Sequence, residues 1–307
     1  MKRWVWIVSI TVFLLLCGAG GVAYYVYSSV KETAEQMYIP VKANKPVYVS
    51  QDTTVKPKTE PVAVEKLEPF NVLVMGVDER EHDRGRSDTI IVVSVNPNKP
   101  SMLMFNLPRD TRTEIVGHHS VDKMNHAYAF GGVEMVLATV EKFLDMPIDY
   151  VVKINMEGFV QLVDLVGGVE VENPFAFNEG GVQFDKGTMK LDGEHALIYT
   201  RMRYEDPRGD MGRNDRQRQV LLKLMHTAMQ WGSIDRIPSI LKALGRNVKT
   251  NITFDEMKYM YKNYLPAFNT IDTTEVQGTA TRISNIYYYL VNDKERKRLH
   301  DLLKSNQ

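Results

Sequence analysis

The sequence predicts an α/β domain in which a mixed or parallel β-sheet is covered on its faces. Three runs of β-branched and apolar residues, at 70–77, 89–95 and 102–107, are typical of buried strands. Further along the chain, an amphipathic helical pattern at 133–144 precedes another apolar run at 150–154. Because strands alternate with helices, the helices are expected to pack against the sheet.

The remaining elements are predicted from capping and helix-breaking residues. A helix over 156–166 is stopped by two glycines, and a short strand follows at 169–171. The glycine-rich segment 174–192 is expected to form loops. Asp192 is the predicted N-cap of a helix over 194–203. The other predicted elements are a helix over 214–231, a helix that opens with a capping box at Thr253 and Glu256 and runs to 264, closing strands at 276, 283 and 287–290, and a terminal helix over 293–303.

The N-terminal residues predict a membrane anchor. Residues 4–30 carry no charged side chain, and about 20 apolar residues are enough to cross a bilayer as a helix. Lys2 and Arg3 precede this run, so the positive-inside rule places the N-terminus in the cytoplasm. A cleaved signal peptide is the alternative, because small residues begin at Gly18. We expect residues 1–30 to be a cytoplasmic start and a transmembrane signal-anchor, which gives a single-pass cell-membrane protein with an extracellular domain.

A tether and one large domain are expected after the anchor. Residues 31–68 contain four prolines among charged and polar residues, a composition typical of a semi-extended, solvated, extracytoplasmic spacer. The domain then covers 69–307. Cys17 is the only cysteine and lies in the apolar run, so this domain must be stable without a disulfide. Basic and acidic residues number 38 each, and a net charge of zero provides no basic field for nucleic acid.

An arginine-rich segment indicates binding of phosphate groups. Residues 193–218 contain six arginines and no lysine: Arg201, Arg203, Arg208, Arg213, Arg216 and Arg218. A guanidinium group binds two phosphate oxygens at once, whereas a lysine acts as a point charge. Helical spacing places Arg213, Arg216 and Gln217 on one face, and Arg86 and Arg109 lie at the edges of predicted strands. The alternative is a solvated surface in which the arginines pair with nearby carboxylates.

Two aspartates flank Arg86 in the sequence. Asp78 follows the first predicted strand, and Asp88 stands where the second begins. Ligands of α/β sheets bind outside strand ends, so these acids and Arg109 are expected to gather there. Mg²⁺ prefers one or two carboxylates together with substrate phosphates, which makes Asp78 and Asp88 candidate ligands. The alternative is that both aspartates only orient arginines. The histidines show no zinc-type spacing, and a structural or loop role is expected for His118, His119, His126 and His195.

Seven motifs give the sequence a close resemblance to the LytR–CpsA–Psr family. They are GVDER (76–80), GRSDTI (85–90), PRDT (108–111), DKMNHAYAFGG (122–132), YTRMR (199–203), EDPRGD (205–210) and GRNDRQRQV (212–220). The match keeps the order and covers nearly the whole predicted exported domain. It implies a three-layer α/β/α sandwich with a mixed central sheet, preceded by one transmembrane helix, and an apolar tunnel for a polyprenyl tail.

The resemblance also implies a function. Members of that family are membrane-anchored enzymes that move an anionic glycopolymer from an undecaprenyl pyrophosphate carrier onto peptidoglycan. This implies a phosphotransferase that joins a polymer, with wall teichoic acid expected, to the 6-hydroxyl of N-acetylmuramic acid and releases undecaprenyl phosphate. Two alternatives stay open: a lipid pyrophosphatase with water as the nucleophile, and a non-catalytic module that binds polyprenyl phosphates and regulates the cell wall.

The family's site residues transfer to this sequence by their positions in the motifs. Asp78 and Asp88 are the expected ligands of a Mg²⁺ cofactor. Arg109, Asp88 and Arg86 are the expected catalytic residues. The expected pyrophosphate-binding residues are Arg86, Arg109, Arg201, Arg203, Arg213 and Gln217.

Overall fold

The computed structural model describes residues 21, 24–41, 48–55, 67–79, 84–99, 101–229, 245, 247–268 and 270–307. Most of the predicted transmembrane segment lies outside these residues. Within the described ranges, no helix is both long enough and apolar enough to cross a membrane. The anchor over 1–30 therefore stays a prediction.

The described part of the chain contains strands and helices in mixed order. The strands are β1 (Phe70–Val77), β2 (Ser87–Val95), β3 (Ser101–Asn106), β4 (Arg112–Ile115), β5 (Ser120–Lys123), β6 (Tyr150–Asn155), β7 (Val169–Asn173), β8 (Phe177–Glu179), β9 (Val182–Phe184), β10 (Gly187–Leu191), β11 (Val248–Thr250), β12 (Thr270–Thr273), β13 (Thr279–Ile283) and β14 (Ile286–Leu290). The helices are α1 (His126–Leu144), α2 (Met156–Leu165), α3 (Gly193–Arg201), α4 (Asp210–Met229), α5 (Phe254–Asn263) and α6 (Asp293–Ser305).

Six strands form a mixed central sheet in the order β11–β6–β1–β2–β3–β12. The inner strands β1, β2 and β3 are antiparallel to their neighbours in this group. Strand β6 runs parallel to β1, and β12 runs parallel to β3, whereas β11 is antiparallel to β6. The prediction of a mixed sheet is confirmed, and the strands expected at 70–77, 89–95, 102–107 and 150–154 form its centre.

Alternating side chains on the strands bury both faces of this sheet. On β1, Leu73 and Met75 belong to a core cluster with residues of α1 and α6. Phe70 and Val72 of the same strand point to the other face and cluster with residues of α4 and α5. Since apolar burial is the main stabilising contribution to folding, these two clusters hold helices on both faces of the sheet. The resulting architecture has three layers.

The segment 174–192 was expected to form loops, and that expectation is wrong. It contains the hairpin β8–β9 and the strand β10, which pairs with β7. Phe177 and Phe184 are 2% exposed and lie in a third core cluster with Tyr199. The turn between them needs glycine, because Gly180 and Gly181 both have positive φ. Turn glycines dilute the apolar pattern of strands as short as these, which hides them from periodicity.

Several other elements differ from the predictions; for example, α3 ends at Arg201 instead of residue 203, and α4 begins at Asp210 instead of residue 214. Helix α1 begins at His126, before the predicted start at residue 133, and Gly131 and Gly132 interrupt it with non-helical φ and ψ. The 133–144 pattern therefore describes only the part after the kink. Val276 was expected in a strand but lies outside any strand; it is 1% exposed and packs in the core.

The segment expected to be a solvated spacer contacts the domain where it is described. Residues 24–37 are helical, so a helix runs from the last residues of the predicted anchor into this segment. The ring of Tyr27, which belongs to the predicted anchor, lies 5.6 Å from that of Phe254 in α5. Tyr48 donates a 2.8 Å hydrogen bond to Asp145, and Lys304 of α6 donates a 2.7 Å bond to Asp52. A few bonds and buried side chains are enough for this docking, although the segment has no helical or strand period.

Candidate functional site

The candidate site lies at one edge of the central sheet. Strands β1, β3 and β6 end there, and β2 begins there, because Val77 pairs with Ser87 and with Asn155. The chain leaves β3 through Leu107, whose backbone N–H donates to Ile90 at 2.8 Å. The antiparallel order therefore brings Asp78, Asp88 and Arg109 to the same edge, as the strand assignment predicted.

A tight approach of two backbone segments fixes the two aspartates. The backbone N–H groups of Asp78 and Asp88 both donate to the carbonyl of Arg86, at 3.2 and 3.1 Å. Gly85 has a φ of +67°, and a Cβ at this position would lie 1.8 Å from the carbonyl oxygen of Asp78. Only glycine fits, which is the physical reason for the glycine of the GRSDTI motif. The side chain of Arg86 is exposed beside this turn.

Arg109 is the centre of a network of carboxylates. Its Nη1 donates to Asp88 Oδ2 at 2.7 Å, and its Nε lies 3.7 Å from Asp110 and 3.9 Å from Asp210. Burial acts to lower the pKa of Arg109, but Asp88, Asp210 and Asp110 outweigh it, so the pKa is raised. The other oxygen of Asp88 accepts a 3.0 Å hydrogen bond from Asn125 Nδ2. Asp88 is thus held by a cation and an amide.

A second, more buried pair adjoins Arg109. Arg213 Nη2 lies 2.7 Å from Asp210 Oδ1, and their side chains are 5% and 13% exposed. Burial raises the pKa of Asp210, although the charges of Arg213 and Arg109 act to lower it. Burial also lowers the pKa of Arg213. Among the described residues, Arg109 Nε, Arg213 Nε and Nη2, and both oxygens of Asp210 make no aligned hydrogen bond. The two guanidinium groups lie close to the Asp210 carboxylate, but their N–H groups are not aligned with its oxygens. These N–H groups can therefore bind the oxygens of an anion.

The other predicted phosphate binders lie at the margins of this network. Arg201 Nη2 is 3.5 Å from Asp78 Oδ2. Arg203 stacks 4.5 Å above the ring of the exposed Tyr204 and donates to its hydroxyl. The charge of Arg203 acts to lower the pKa of Asp210, against the larger effect of burial. Arg203 therefore lies near the pair of Arg213 and Asp210. Gln217 accepts a 3.4 Å hydrogen bond from Asn106 at the end of β3.

The remaining arginines of the segment are structural, so the salt-bridged alternative describes part of the cluster. Arg216 is 4% exposed, pairs with Asp206 at 2.6 Å and donates to the carbonyls of Tyr199 and Met202. Arg208 pairs with Asp215 and Glu275, and Arg218 pairs with Asp215. Arg216 was expected to share a binding face with Arg213, but its donors are bonded within the fold.

Sequence reasoning missed several members of the site. Lys123 donates to Asp110 at 2.7 Å, and its ammonium lies 5.9 Å from the ring centre of Tyr287 in β14. Burial raises the pKa of Tyr287, with further contributions from Asp210 and Asp110. Lys123 and Asn125 belong to the DKMNHAYAFGG motif, which offered a signal. No pattern marked Tyr287, because the β13–β14 hairpin reaches the site only through tertiary packing.

Asp78 and Asp88 are the candidate ligands of Mg²⁺ at this edge of the sheet. Within the described residues, no group of three or more His, Cys, Asp or Glu side chains is placed to hold a metal. Asp78 and Asp88 lie at adjacent strand ends, and each Asp88 oxygen accepts one hydrogen bond and keeps a further lone pair. The residues fit a Mg²⁺ ion that takes its other ligands from water and substrate phosphates.

Aspartates and arginines lie together at one edge of a mixed sheet that is covered by helices. This arrangement is typical of an α/β protein with an anion-binding site. Comparison with known sequences narrows this class. The model of the LytR_cpsA_psr family matches residues 24–305. The chain belongs to this family.

Relatives of known name are similar over almost the whole chain. A protein of Halalkalibacterium halodurans named polyisoprenyl-teichoic acid--peptidoglycan teichoic acid transferase TagU is 47% identical over 290 residues, which cover 93% of this chain and 92% of the relative. The Bacillus subtilis protein of the same name is 45% identical over 276 residues, covering 90% of this chain and 87% of the relative.

Solved structures share the fold. The crystal structure of B. subtilis TagU superposes with a TM-score of 0.63 at 44% identity, and the match covers 78% of this chain and 96% of that one. A structure described as TagT bound to LI-WTA has a TM-score of 0.68 at 28% identity, with coverage of 81% and 94%. Both likenesses support the mixed α/β architecture.

Proposed function

We propose that this protein is a transferase that moves wall teichoic acid from an undecaprenyl pyrophosphate carrier to the 6-hydroxyl of N-acetylmuramic acid in peptidoglycan. The names of the relatives support a teichoic acid transferase. The observation that carries the proposal is that Arg109 and the buried Arg213 both lie beside Asp210 at a sheet edge, with the N–H groups Arg109 Nε and Arg213 Nε and Nη2 making no aligned hydrogen bond. A pyrophosphate gives such donors oxygens with matching charge and geometry.

The transfer step needs one bond to form and one to break. The acceptor hydroxyl oxygen bonds to the phosphorus that carries the glycopolymer. The bond from that phosphorus to the bridging oxygen breaks, and undecaprenyl phosphate leaves. The hydroxyl proton passes to solvent water, because the Asp88 carboxylate, which is held by Arg109 and Asn125, is assigned to the metal in this proposal. The alternative is that Asp88 accepts this proton and does not hold the metal. Positioning and electrostatic stabilisation account for most catalysis of phosphoryl transfer, so the arginines hold the phosphates in line.

In this proposal Asp78 and Asp88 hold the metal. A Mg²⁺ ion bound there supplies positive charge to the phosphate oxygens. Arg201, whose Nη2 lies 3.5 Å from Asp78 Oδ2, orients that carboxylate. Arg86, Arg203 and Gln217 surround the network and are assigned to the outer oxygens of the pyrophosphate.

The proposal is tested with the full chain in detergent. The assay supplies a synthetic lipid-pyrophosphate-linked teichoic acid precursor, peptidoglycan oligomers and Mg²⁺. The wild type should join polymer to peptidoglycan. Arg109→Ala should lower the rate roughly a hundredfold, because one lost charge-stabilising donor costs about 3 kcal/mol in the transition state. Arg282→Ala, which removes an exposed arginine of β13, is the matched control and should keep the wild-type rate.

Other products would replace the proposal. Release of polymer phosphate without joining would identify a lipid pyrophosphatase. Tight binding of the lipid with no turnover would identify a binding module. An Arg109→Ala enzyme that keeps its full rate would remove Arg109 from the site.

A further inference from the structure

A surface of stacked rings lies beside the acidic part of the site. The ring of His118, in the turn after β4, is parallel to that of Phe130 in α1, with the ring centres 3.9 Å apart and the planes 6° apart. His118 is exposed and Phe130 is 38% exposed. His118 Nδ1 is bonded to Ser120 Oγ at 2.9 Å, and His119 has a φ of +54°. The turn thus holds the stacked pair in one arrangement.

Polar groups of fixed orientation border these rings. His126 Nδ1 donates to Asp122 Oδ2 at 2.8 Å, and the ring of His126 meets that of Phe130 edge-on at 6.1 Å. The second oxygen of Asp122 accepts from the backbone N–H of Lys123 at 2.7 Å. Among the described residues, His126 Nε2 makes no hydrogen bond. A carboxylate and an imidazole nitrogen are therefore positioned next to exposed ring faces.

The stacked rings are joined to the candidate site through one short segment. The residues between β5 and α1 include Asn125, which donates to Asp88, and the end of β5 supplies Lys123, which donates to Asp110. Asp122 and His126 come from the same segment. By contrast, Arg201, Arg203 and Arg213 come from α3, the residues after it and α4. The site thus has a cationic side and a ring-bearing side, with Asp88 held from both through Arg109 and Asn125.

We propose that His118, Phe130, His126 and Asp122 form the subsite for the acceptor, a chain of N-acetylated amino-sugar rings. Pyranose rings offer flat C–H faces that pack on aromatic rings, and their hydroxyl and amide groups bond to carboxylates and imidazoles. The arginines suit the pyrophosphate of the donor, so the acceptor takes the side that offers ring faces, an imidazole and the Asp122 carboxylate. This inference rests on the proposed transferase function.

Binding of a defined sugar tests the subsite without any turnover. The probe is a tetrasaccharide of alternating N-acetylglucosamine and N-acetylmuramic acid, titrated into the full chain in detergent and followed by calorimetry. His118→Ala and Phe130→Ala should each weaken its binding at least tenfold, and Phe130→Tyr should restore it. His195→Ala, an exposed histidine of α3, is the matched control and should bind like the wild type. Binding of inorganic pyrophosphate should be equal in all five proteins.

The outcomes separate the subsite from the transferase. Tetrasaccharide binding that is unchanged in both alanine variants would overturn the subsite, even if the wild type transfers polymer. Binding that depends on His118 and Phe130 would support the subsite, even if the wild type lacks transferase activity. Loss of pyrophosphate binding in Phe130→Ala would indicate misfolding, and the exposed turn variant His118→Ala then decides by itself.

Discussion

Arg213 and Arg216 differ in what their guanidinium groups bond to, although both are 4% exposed and lie three residues apart on α4. Arg216 directs its donors to Asp206 and to two backbone carbonyls. Arg213 lies close to Asp210 but leaves Nε and Nη2 unaligned. Helical spacing placed both on one face, and the motif positions assigned only Arg213 to pyrophosphate. The hydrogen bonds of Arg216 stabilise the fold, whereas the unaligned donors of Arg213 belong to the candidate site. This difference depends on tertiary packing.

This difference predicts opposite phenotypes for two arginine variants. Arg216→Ala should lower the free energy of unfolding by about 3–5 kcal/mol, because it leaves Asp206 buried without its cation. Arg201→Ala removes an exposed side chain and should change that free energy by no more than about 0.5 kcal/mol. It should weaken binding of inorganic pyrophosphate about tenfold, the effect of roughly 1.4 kcal/mol for a lost charge-assisted contact.

Urea denaturation and pyrophosphate titration measure the two effects on the same samples. Arg282→Ala serves as the control for both. A stable Arg216→Ala protein would show that the bonds of Arg216 contribute little to the fold.

At the scale of elements, helix α3 positions Arg201 and depends on its N-cap. Asp192 accepts a 2.9 Å hydrogen bond from the backbone N–H of His195, as the sequence predicted. That backbone hydrogen bond, with a further bond from the His195 side chain, holds the pKa of Asp192 below its usual value. A depressed carboxyl pKa stabilises the fold above the pKa of the unfolded chain. The contribution is lost as the pH falls through the folded-state pKa.

Asp192→Ala should lower the free energy of unfolding by about 1 kcal/mol at pH 7, the usual effect of losing an N-cap. The difference from wild type should shrink as the pH falls below about 4, where the unfolded carboxyl takes up its proton. Asp192→Asn keeps a capping oxygen and should lose less stability at pH 7. Urea denaturation at several pH values measures this, and a difference that does not change with pH would exclude the carboxylate as its source.

Long elements with a clear apolar or capping pattern were predicted more accurately than short, polar strands. Strand β1 matches its predicted bounds, 70–77, because a mostly apolar run of eight residues flanked by charges leaves little choice. The capping box at Thr253 and Glu256 is present as expected. The two-stranded pair β4–β5 was not predicted, since four-residue strands with polar side chains carry no clear period. Its register is set by packing against α1 and β14.

At the scale of the whole molecule, residues 48–55 connect the N-terminal part of the chain to its C-terminal helix. Asp52 accepts from Lys304 at 2.7 Å, from His300 at 3.2 Å and from the backbone of Thr54 at 2.9 Å. The bond from Lys304 contributes most to holding the pKa of Asp52 well below its usual value, and Thr54 and His300 add to it. The ionised carboxylate therefore favours the docked arrangement above the unfolded pKa, and docking weakens as the pH falls through the folded-state pKa.

Asp52→Asn should loosen this segment at neutral pH, because the amide cannot form the ion pair with Lys304. Hydrogen exchange of the Thr54 and Val55 amides should become faster in the variant than in the wild type. Asp293→Asn changes a fully solvated carboxylate of α6 and is the matched control, which should exchange at the wild-type rate. Equal protection in Asp52→Asn and wild type would show that buried Val55 alone holds the segment.

The order of the strands in the whole sheet explains which residues of the candidate site could be predicted from the sequence. Strand ends predicted that Asp78, Asp88 and Arg109 would meet, and the pairing of β1, β2 and β3 brings them to one edge. The approach of Asp210 to Arg109 depends on where α4 crosses the sheet, which no local pattern encodes. The assignments of metal and pyrophosphate to these residues stay predictions until a ligand is measured.

The raised pKa of Asp210 has a consequence for ligand binding. Its carboxylate stands against the guanidinium groups of Arg109 and Arg213 that a phosphate would also contact. A bound anion adds a like charge and draws those cations away, and both effects raise a carboxyl pKa further. Anion binding is therefore coupled to proton uptake. Pyrophosphate affinity should fall as the pH rises, and calorimetry in buffers of different ionisation enthalpy should detect the proton taken up.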